Sequence, residues 1–148
     1  MRVQDILRLK SPNIITIPAS ASITQASRVI SGQRIGVLIV VDQQQAPVGL
    51  LSERDIVCFV AEKGVEALTA RVEAAMLHFV PIADPQDPVT DVMRVMTELR
   101  ARHMPVMSNG RLVGVISIGD ILKSRLSEKD QEADVPRDIA RARIAASA

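Results

Sequence analysis

The segment Gly49-Leu50-Leu51-Ser52-Glu53-Arg54-Asp55-Ile56 returns as Gly114-Val115-Ile116-Ser117-Ile118-Gly119-Asp120-Ile121. Each copy reads glycine, two aliphatics, serine, two variable residues, aspartate and isoleucine, so whatever fold suits one copy must suit the other. The aliphatics are the end of a buried strand, and Ser-x-x-Asp opens a helix, with the serine as N-cap and the aspartate at the third helical position. A capping box alone accounts for that pattern. The duplication adds a second use. A strand-to-helix turn that offers free N–H groups, a hydroxyl and a carboxylate makes a polar pocket rim, suited to phosphate and to the hydroxyls of a ribose.

The repeat extends well beyond the motif. Ile23 and Val89 are 66 residues apart, as are Ile39 and Pro105, while Gly49 and Gly114 are 65 apart. One-residue adjustments in loops account for the drift. Two copies are too few for an open solenoid, so the predicted fold class is α+β: two β-α-β-β-α units packed under a pseudo-twofold axis, with clefts between them. The expected division is repeat 1 over residues 1–66, repeat 2 over 67–126, and a charged C-terminal tail over 127–148 with a short helix from Pro136 to Ala146.

Along the first copy, Val3 to Leu7 is an amphipathic turn halted at Ser11-Pro12, because proline disfavours helix in the residue before it. Ile14 to Ile17 is a β-branched strand ended by Pro18. Ser22 caps a helix with Gln25 completing the box; Ile23, Ala26, Val29 and Ile30 form its core face, and Gly32 ends it. Gly36 to Val41 is a continuous apolar run, as in a strand covered on both sides. After Val48 to Leu51, the helix from Ser52 is expected to carry Ile56, Val57 and Val60 inward and to end near Gly64.

The second copy follows suit. Val72 to Met76 matches Val3 to Leu7, and Val80 to Ile82 is the expected strand. Asp87 as cap and Pro88 in the first turn start a helix with the stripe Val92, Val95, Met96 and Leu99. Met104 to Met107 and Leu112 to Ile116 are strands joined by an Asn109-Gly110 hairpin turn.

Composition narrows the functions. With 47% hydrophobic and 24% charged residues the chain is globular, and a net charge of +1 sets up no field to draw in nucleic acid or an anionic membrane. Phe59 and Phe79 are the only aromatics, so base stacking on aromatic platforms is excluded, and aliphatics and backbone must hold any nucleobase. Cys58 is alone, which rules out an intrachain disulfide and suits a reducing compartment; it is expected as a small core residue. Only His78 and His103 could join it as soft ligands, without suitable spacing, so no metal is expected. Met1 to Lys10 lacks the apolar stretch of a signal peptide, and the run from Ile35 to Val41 is too short to span a bilayer, so a cytoplasmic location is expected. Neither a nucleophile elbow nor a P-loop accompanies the serines, so the chain is not expected to be an enzyme.

The doubled unit, with Arg102-His103-Met104-Pro105-Val106 before its second closing motif, resembles a tandem pair of CBS domains, often called a Bateman module, over residues 1–126. The resemblance implies two clefts that take adenosine-containing ligands: AMP first, with ADP, ATP, NAD(H) and S-adenosylmethionine as alternatives. It implies that the helix-start aspartate of one repeat binds ribose and faces the base-binding strands of the other. One site would then join Ser117 and Asp120 to Ile15, Gly36 and Val37. The other would join Ser52, Arg54 and Asp55 to Val80, His103 and Met104.

The copies differ in charge. Arg54 precedes the first aspartate where Gly119 precedes the second, and Arg102 and His103 add to the Asp55 side, while Lys10 is the nearest cation for the Asp120 side. For Arg54 and Arg102 surface solvation competes with a phosphate role, and for His103 so does a satisfied position at a strand end. The expected function is an adenosine-nucleotide-binding regulatory module, a sensor of energy state with two clefts of unequal phosphate affinity, controlling a separate effector protein. The alternative is a structural dimerisation module with no functional ligand. Such pairs also imply a homodimer, two modules forming a flat disc.

Overall fold

Residues 1–11, 14–78 and 81–132 are described by a computed structural model of the chain. The first half contains α1 (Val3–Leu9), β1 (Thr16–Pro18), α2 (Ile23–Gln33), β2 (Val37–Val41), β3 (Pro47–Ser52) and α3 (Glu53–Lys63). Two short 3₁₀ turns, Gly64–Thr69 and Val72–Ala74, lead to α4 (Val89–Glu98), β4 (His103–Ser108), β5 (Arg111–Ser117) and α5 (Ile118–Glu132). In the first sheet β2 lies between a parallel β1 and an antiparallel β3; β4 and β5 form an antiparallel pair. The fold is the expected mixed α+β arrangement, built twice.

The duplication is visible bond by bond. The Glu53 N–H donates to the Gly36 carbonyl at 3.0 Å, and the Ile118 N–H donates to the Arg102 carbonyl at 3.0 Å. Arg34 and Arg100, just past α2 and α4, both take the left-handed conformation, with φ of 54° and 52°. Each hairpin changes register at the same place, after Val40 and after Val106. The one-residue drift sits in the hairpin loops. Residues 42–46 form a turn in which Asp42 Oδ1 accepts the N–H groups of Gln44 and Ala46, both at 2.9 Å. Their counterpart is the tighter Asn109-Gly110 turn, where both residues have positive φ, as a two-residue hairpin with right-twisted strands requires.

Packing crosses between the halves. Val3 and Ile6 of α1 are buried with Val92, Met96, Met104, Ile116 and Ile121 of the second half. Val72 is buried with Ile17, Ile23, Leu38 and Leu51 of the first. Backbone bonds fix both crossings: the Val3 N–H donates to the Asp87 carbonyl at 3.0 Å, and the Val72 N–H to the Ala21 carbonyl at 2.7 Å. Ile39, Val41 and Leu50 pack against Leu112 and Val115, closing the sheets on each other. The crossings also explain the glycine that opens each motif. A Cβ on Gly49 would stand 2.6 Å from the Leu77 carbonyl oxygen, and one on Gly114 would stand 2.7 Å from Leu7 Cδ2.

Several expectations are corrected. Helix α2 passes through Gly32 and closes at Arg34. On α3 the inward residues are Ile56 and Phe59, while Val57 is 66% exposed and Cys58 is exposed. Ile56 is inward as expected, but Phe59, one helical turn on, takes the place expected of Val57 and Val60, and the cysteine is no core residue. Val60 also lies at the surface. Leu99 lies beyond the last turn of α4 and is exposed. That helix begins at Val89 with Pro88 as the cap, and Asp87 accepts instead from the Asp84 N–H at 2.8 Å.

The strand expected at Val80 to Ile82 is replaced by a single bridge from Ala83 to Val106. Val80 itself lies outside the described residues, and Pro81 has no N–H to give a ladder. Helix α5 carries on through the charge run to Glu132; the helix expected from Pro136 lies outside the described residues. Among those residues, no helix is long and apolar enough to cross a membrane.

Candidate functional site

The two Ser-x-x-Asp turns fold as local chemistry dictates. At the first, Ser52 Oγ accepts the Asp55 N–H at 3.1 Å, while Asp55 Oδ2 accepts the Ser52 N–H at 2.8 Å and the Ser52 hydroxyl at 2.7 Å. At the second, Ser117 Oγ accepts the Asp120 N–H at 3.1 Å and Asp120 Oδ2 accepts the Ser117 N–H at 2.8 Å. Both are reciprocal capping boxes. Capping engages only Oδ2, so it leaves carboxylate capacity for a ligand.

Around the first cap opens a cavity of about 1350 Å³, wide enough for a nucleotide. Ser52, Arg54 and Asp55 enter it from the β3–α3 junction, and Arg100, Arg102 and His103 from the start of β4. Gly36 and Val37, expected beside Asp120, line this same cavity. Its wall also carries apolar groups, Ile82 and Leu99 among them. Arg54, Arg100 and Arg102 face Glu53 and Asp55 there, which leaves one surplus positive charge. The sequence reading passed over Arg100; the cluster Arg100-Ala101-Arg102-His103, just before β4, was the signal for it.

The second cap has a different neighbour. Lys10 Nζ lies 2.6 Å from Asp120 Oδ2 and donates to the Val115 carbonyl at 2.9 Å. Burial alone would push the Asp120 carboxyl up, but the hydrogen bonds from Lys10 and Ser117, together with the lysine charge, hold it below its ordinary value. His103 pairs in register with Ser117 and also lines the first cavity, so it stands between the two carboxylates. Burial pushes its imidazole below the ordinary 6.5; Lys10 and Arg102 act in the same direction, against Asp120 and Asp55. His103 is therefore neutral near pH 7.

One expected contact is not made. Met104 is 2% exposed and packed in the second core rather than along the cavity. Ile15, expected beside Ser117 and Asp120, packs against the first core and offers its carbonyl to the Ile39 N–H at 3.2 Å. Among the described residues no three His, Cys, Asp or Glu side chains gather to hold a metal ion.

The family profile of the CBS domain matches residues 3–62 and again 72–127. A crystal structure of a CBS-domain containing protein from Agrobacterium tumefaciens superposes with a TM-score of 0.79 at 36% identity, covering 84% of this chain and 92% of that one. A CBS domain pair solved in complex with 5′-methylthioadenosine and S-adenosyl-L-methionine superposes with a TM-score of 0.75 at 27% identity, over 86% of this chain and 98% of that one. An uncharacterized 17.7 kDa protein of Acidianus ambivalens is 26% identical over 134 residues, 90% of this chain and 80% of its own length. Other curated relatives are longer: the chain spans 42% of one from Methanocaldococcus jannaschii and 25% of a CBS domain-containing protein from Arabidopsis thaliana.

Proposed function

Because the chain belongs to the CBS-domain family, as a tandem pair, we propose that it is a regulatory module that binds an adenosine-containing ligand in the Asp55 cavity and acts through a separate effector protein. One observation carries the reading: Asp55 presents its carboxylate, without an ion-pair partner among the described residues, to a large cavity that also holds three arginines. A ribose diol suits that carboxylate as a paired acceptor. The adenine ring lies against aliphatics such as Val37 and Ile82, and phosphate meets Arg54 and Arg102, with His103 beside them.

The neighbour that holds S-adenosyl-L-methionine supports the ligand class. The charge of this cavity favours an anionic member of it. A sulfonium among three guanidinium groups meets like-charge repulsion, whereas the phosphate of AMP, ADP, ATP or NAD(H) meets attraction. AMP is the first choice. A site built of binding groups supports regulation rather than catalysis. An unpaired thiol at Cys58 suits a cytoplasmic location. Leu122 and Leu126, exposed on α5, and Val57 on α3 offer apolar surface for a homodimer; light scattering that returns a single 16.1 kDa species overturns that part.

Thermal melting of the chain with AMP, ADP, ATP, NADH and S-adenosylmethionine tests the binding reading. A ligand at 100 times its Kd stabilises by about 2.7 kcal/mol, and Asp55→Asn abolishes the shift while largely keeping the helix cap. Without a shift from any of the five, the structural dimerisation reading takes its place.

A further inference from the structure

Asp55 and Asp120 occupy the same position in the two copies and form the same reciprocal capping box with their own serines, yet of the two only Asp120 is paired with a cation among the described residues. That cation comes from the far end of the chain, 110 residues away. Lys10 is the C-cap of α1, and Val3 and Ile6 bury α1 in the second core, so the crossing of the leading segment delivers the ammonium to the second cap. The lysine is doubly held, by Asp120 Oδ2 and by the Val115 carbonyl. When Leu7 is matched to Met76, the corresponding position in the other copy is Phe79, which carries no charge.

The bonding at Oδ2 decides what each aspartate can accept. A ribose diol uses both oxygens of a carboxylate. At Asp55 the second donor on Oδ2 is the Ser52 hydroxyl, which rotates away at little cost. At Asp120 it is an ammonium, and a neutral hydroxyl in its place exchanges a charge-assisted bond for a weaker one. We propose that Lys10 closes the Asp120 site to ribose in the resting protein, so that each chain takes one adenosine ligand, at Asp55, and that Lys10 gates a second site. The inference rests on the reading of the Asp55 cavity as an adenosine site.

Titration calorimetry of the full chain with AMP tests it, using the unsubstituted protein, Lys10→Met, Asp55→Asn and the double variant. Lys10→Met keeps the side-chain length and removes the charge; circular dichroism checks that it folds. The expected stoichiometries are one AMP per chain for the unsubstituted protein, two for Lys10→Met, none for Asp55→Asn and one for the double variant. Two AMP in the unsubstituted protein, or no gain in Lys10→Met, overturns the gate while leaving the Asp55 reading intact. Binding in Lys10→Met that is absent from the unsubstituted protein supports the gate and overturns the Asp55 reading. Absence of binding in all four overturns both. Carboxyl NMR of Asp120 gives a readout independent of AMP: its titration moves up in Lys10→Met, and an unmoved titration overturns the pairing itself.

Discussion

Gly49→Ala and Gly114→Ala add the same methyl group at the same position of the two motifs, and the structure separates their effects. At Gly49 the new Cβ stands 2.6 Å from the Leu77 carbonyl oxygen and 2.8 Å from Met76 Sδ. That carbonyl is not free to withdraw, because it accepts the Leu50 N–H at 3.2 Å while the Leu77 N–H donates to the Leu50 carbonyl at 2.9 Å. Overpacking of this kind costs about 1–3 kcal/mol, and losing one of the two bonds adds about 1 kcal/mol. Replacing a strand glycine by alanine returns roughly 0.5–1 kcal/mol, which leaves a net loss of about 1–3 kcal/mol. At Gly114 the clash is with Leu7 Cδ2 at 2.7 Å, the tip of a half-buried, rotatable side chain. Its relief roughly cancels the gain in strand propensity, for a net change within about 1 kcal/mol of zero. Urea unfolding measures both, with equal m-values as the check that the denatured state is unchanged. A Gly114→Ala loss equal to or larger than that of Gly49→Ala refutes the account of the two crossings.

Ile6→Ala should cost about 2–5 kcal/mol, the range of a deep core truncation, although the residue sits near the chain start. A loss below 1 kcal/mol in urea unfolding contradicts the crossing of α1 into the second core. Stability should also depend on pH through His103. Its folded pKa lies below the ordinary 6.5, so the unfolded chain binds the proton more readily. The contribution of the neutral ring is complete above 6.5 and declines as pH falls below it; His103→Gln should flatten that slope in melts taken from pH 7.5 to 5.5. Asp120 acts in the same direction lower down: stability present above its ordinary 3.8 is lost as pH falls through the depressed folded value. Lys10→Met should shrink that acid limb.

What the sequence made legible was local. Both capping boxes, the Ser22 box and the Asn109-Gly110 turn depend on residues within a few positions of each other, where side chain and backbone decide geometry unaided. The cavity around Asp55 was legible by resemblance and by the charge of Arg54 and Arg102. Errors arose where burial on two sides erased the pattern. Met104, Pro105 and Val106 are consecutive and all buried, so alternation along β4 does not say which of them faces a ligand. On α3, Ile56, Val57, Phe59 and Val60 offer competing stripes, and only the packing partner selects Ile56 and Phe59.

The asymmetry of the two clefts has a cause deeper than the exchange of Arg54 for Gly119. In both copies the cap is made by the repeat's own serine and aspartate, but the neighbourhood of the cap is supplied by the segment that crosses from the other half. Around Asp120 that segment is the end of α1, and it brings Lys10. Around Asp55 it is the stretch after Val72, and it brings Leu77 and His78 to the cavity wall. Divergence in these leading segments can therefore change one cleft without touching either capping motif. The two capping motifs thereby stand in unlike surroundings while Ser-x-x-Asp stays the same in each, and Lys10→Met should change the surroundings of Asp120 while leaving the bonds between Ser117 and Asp120 in place.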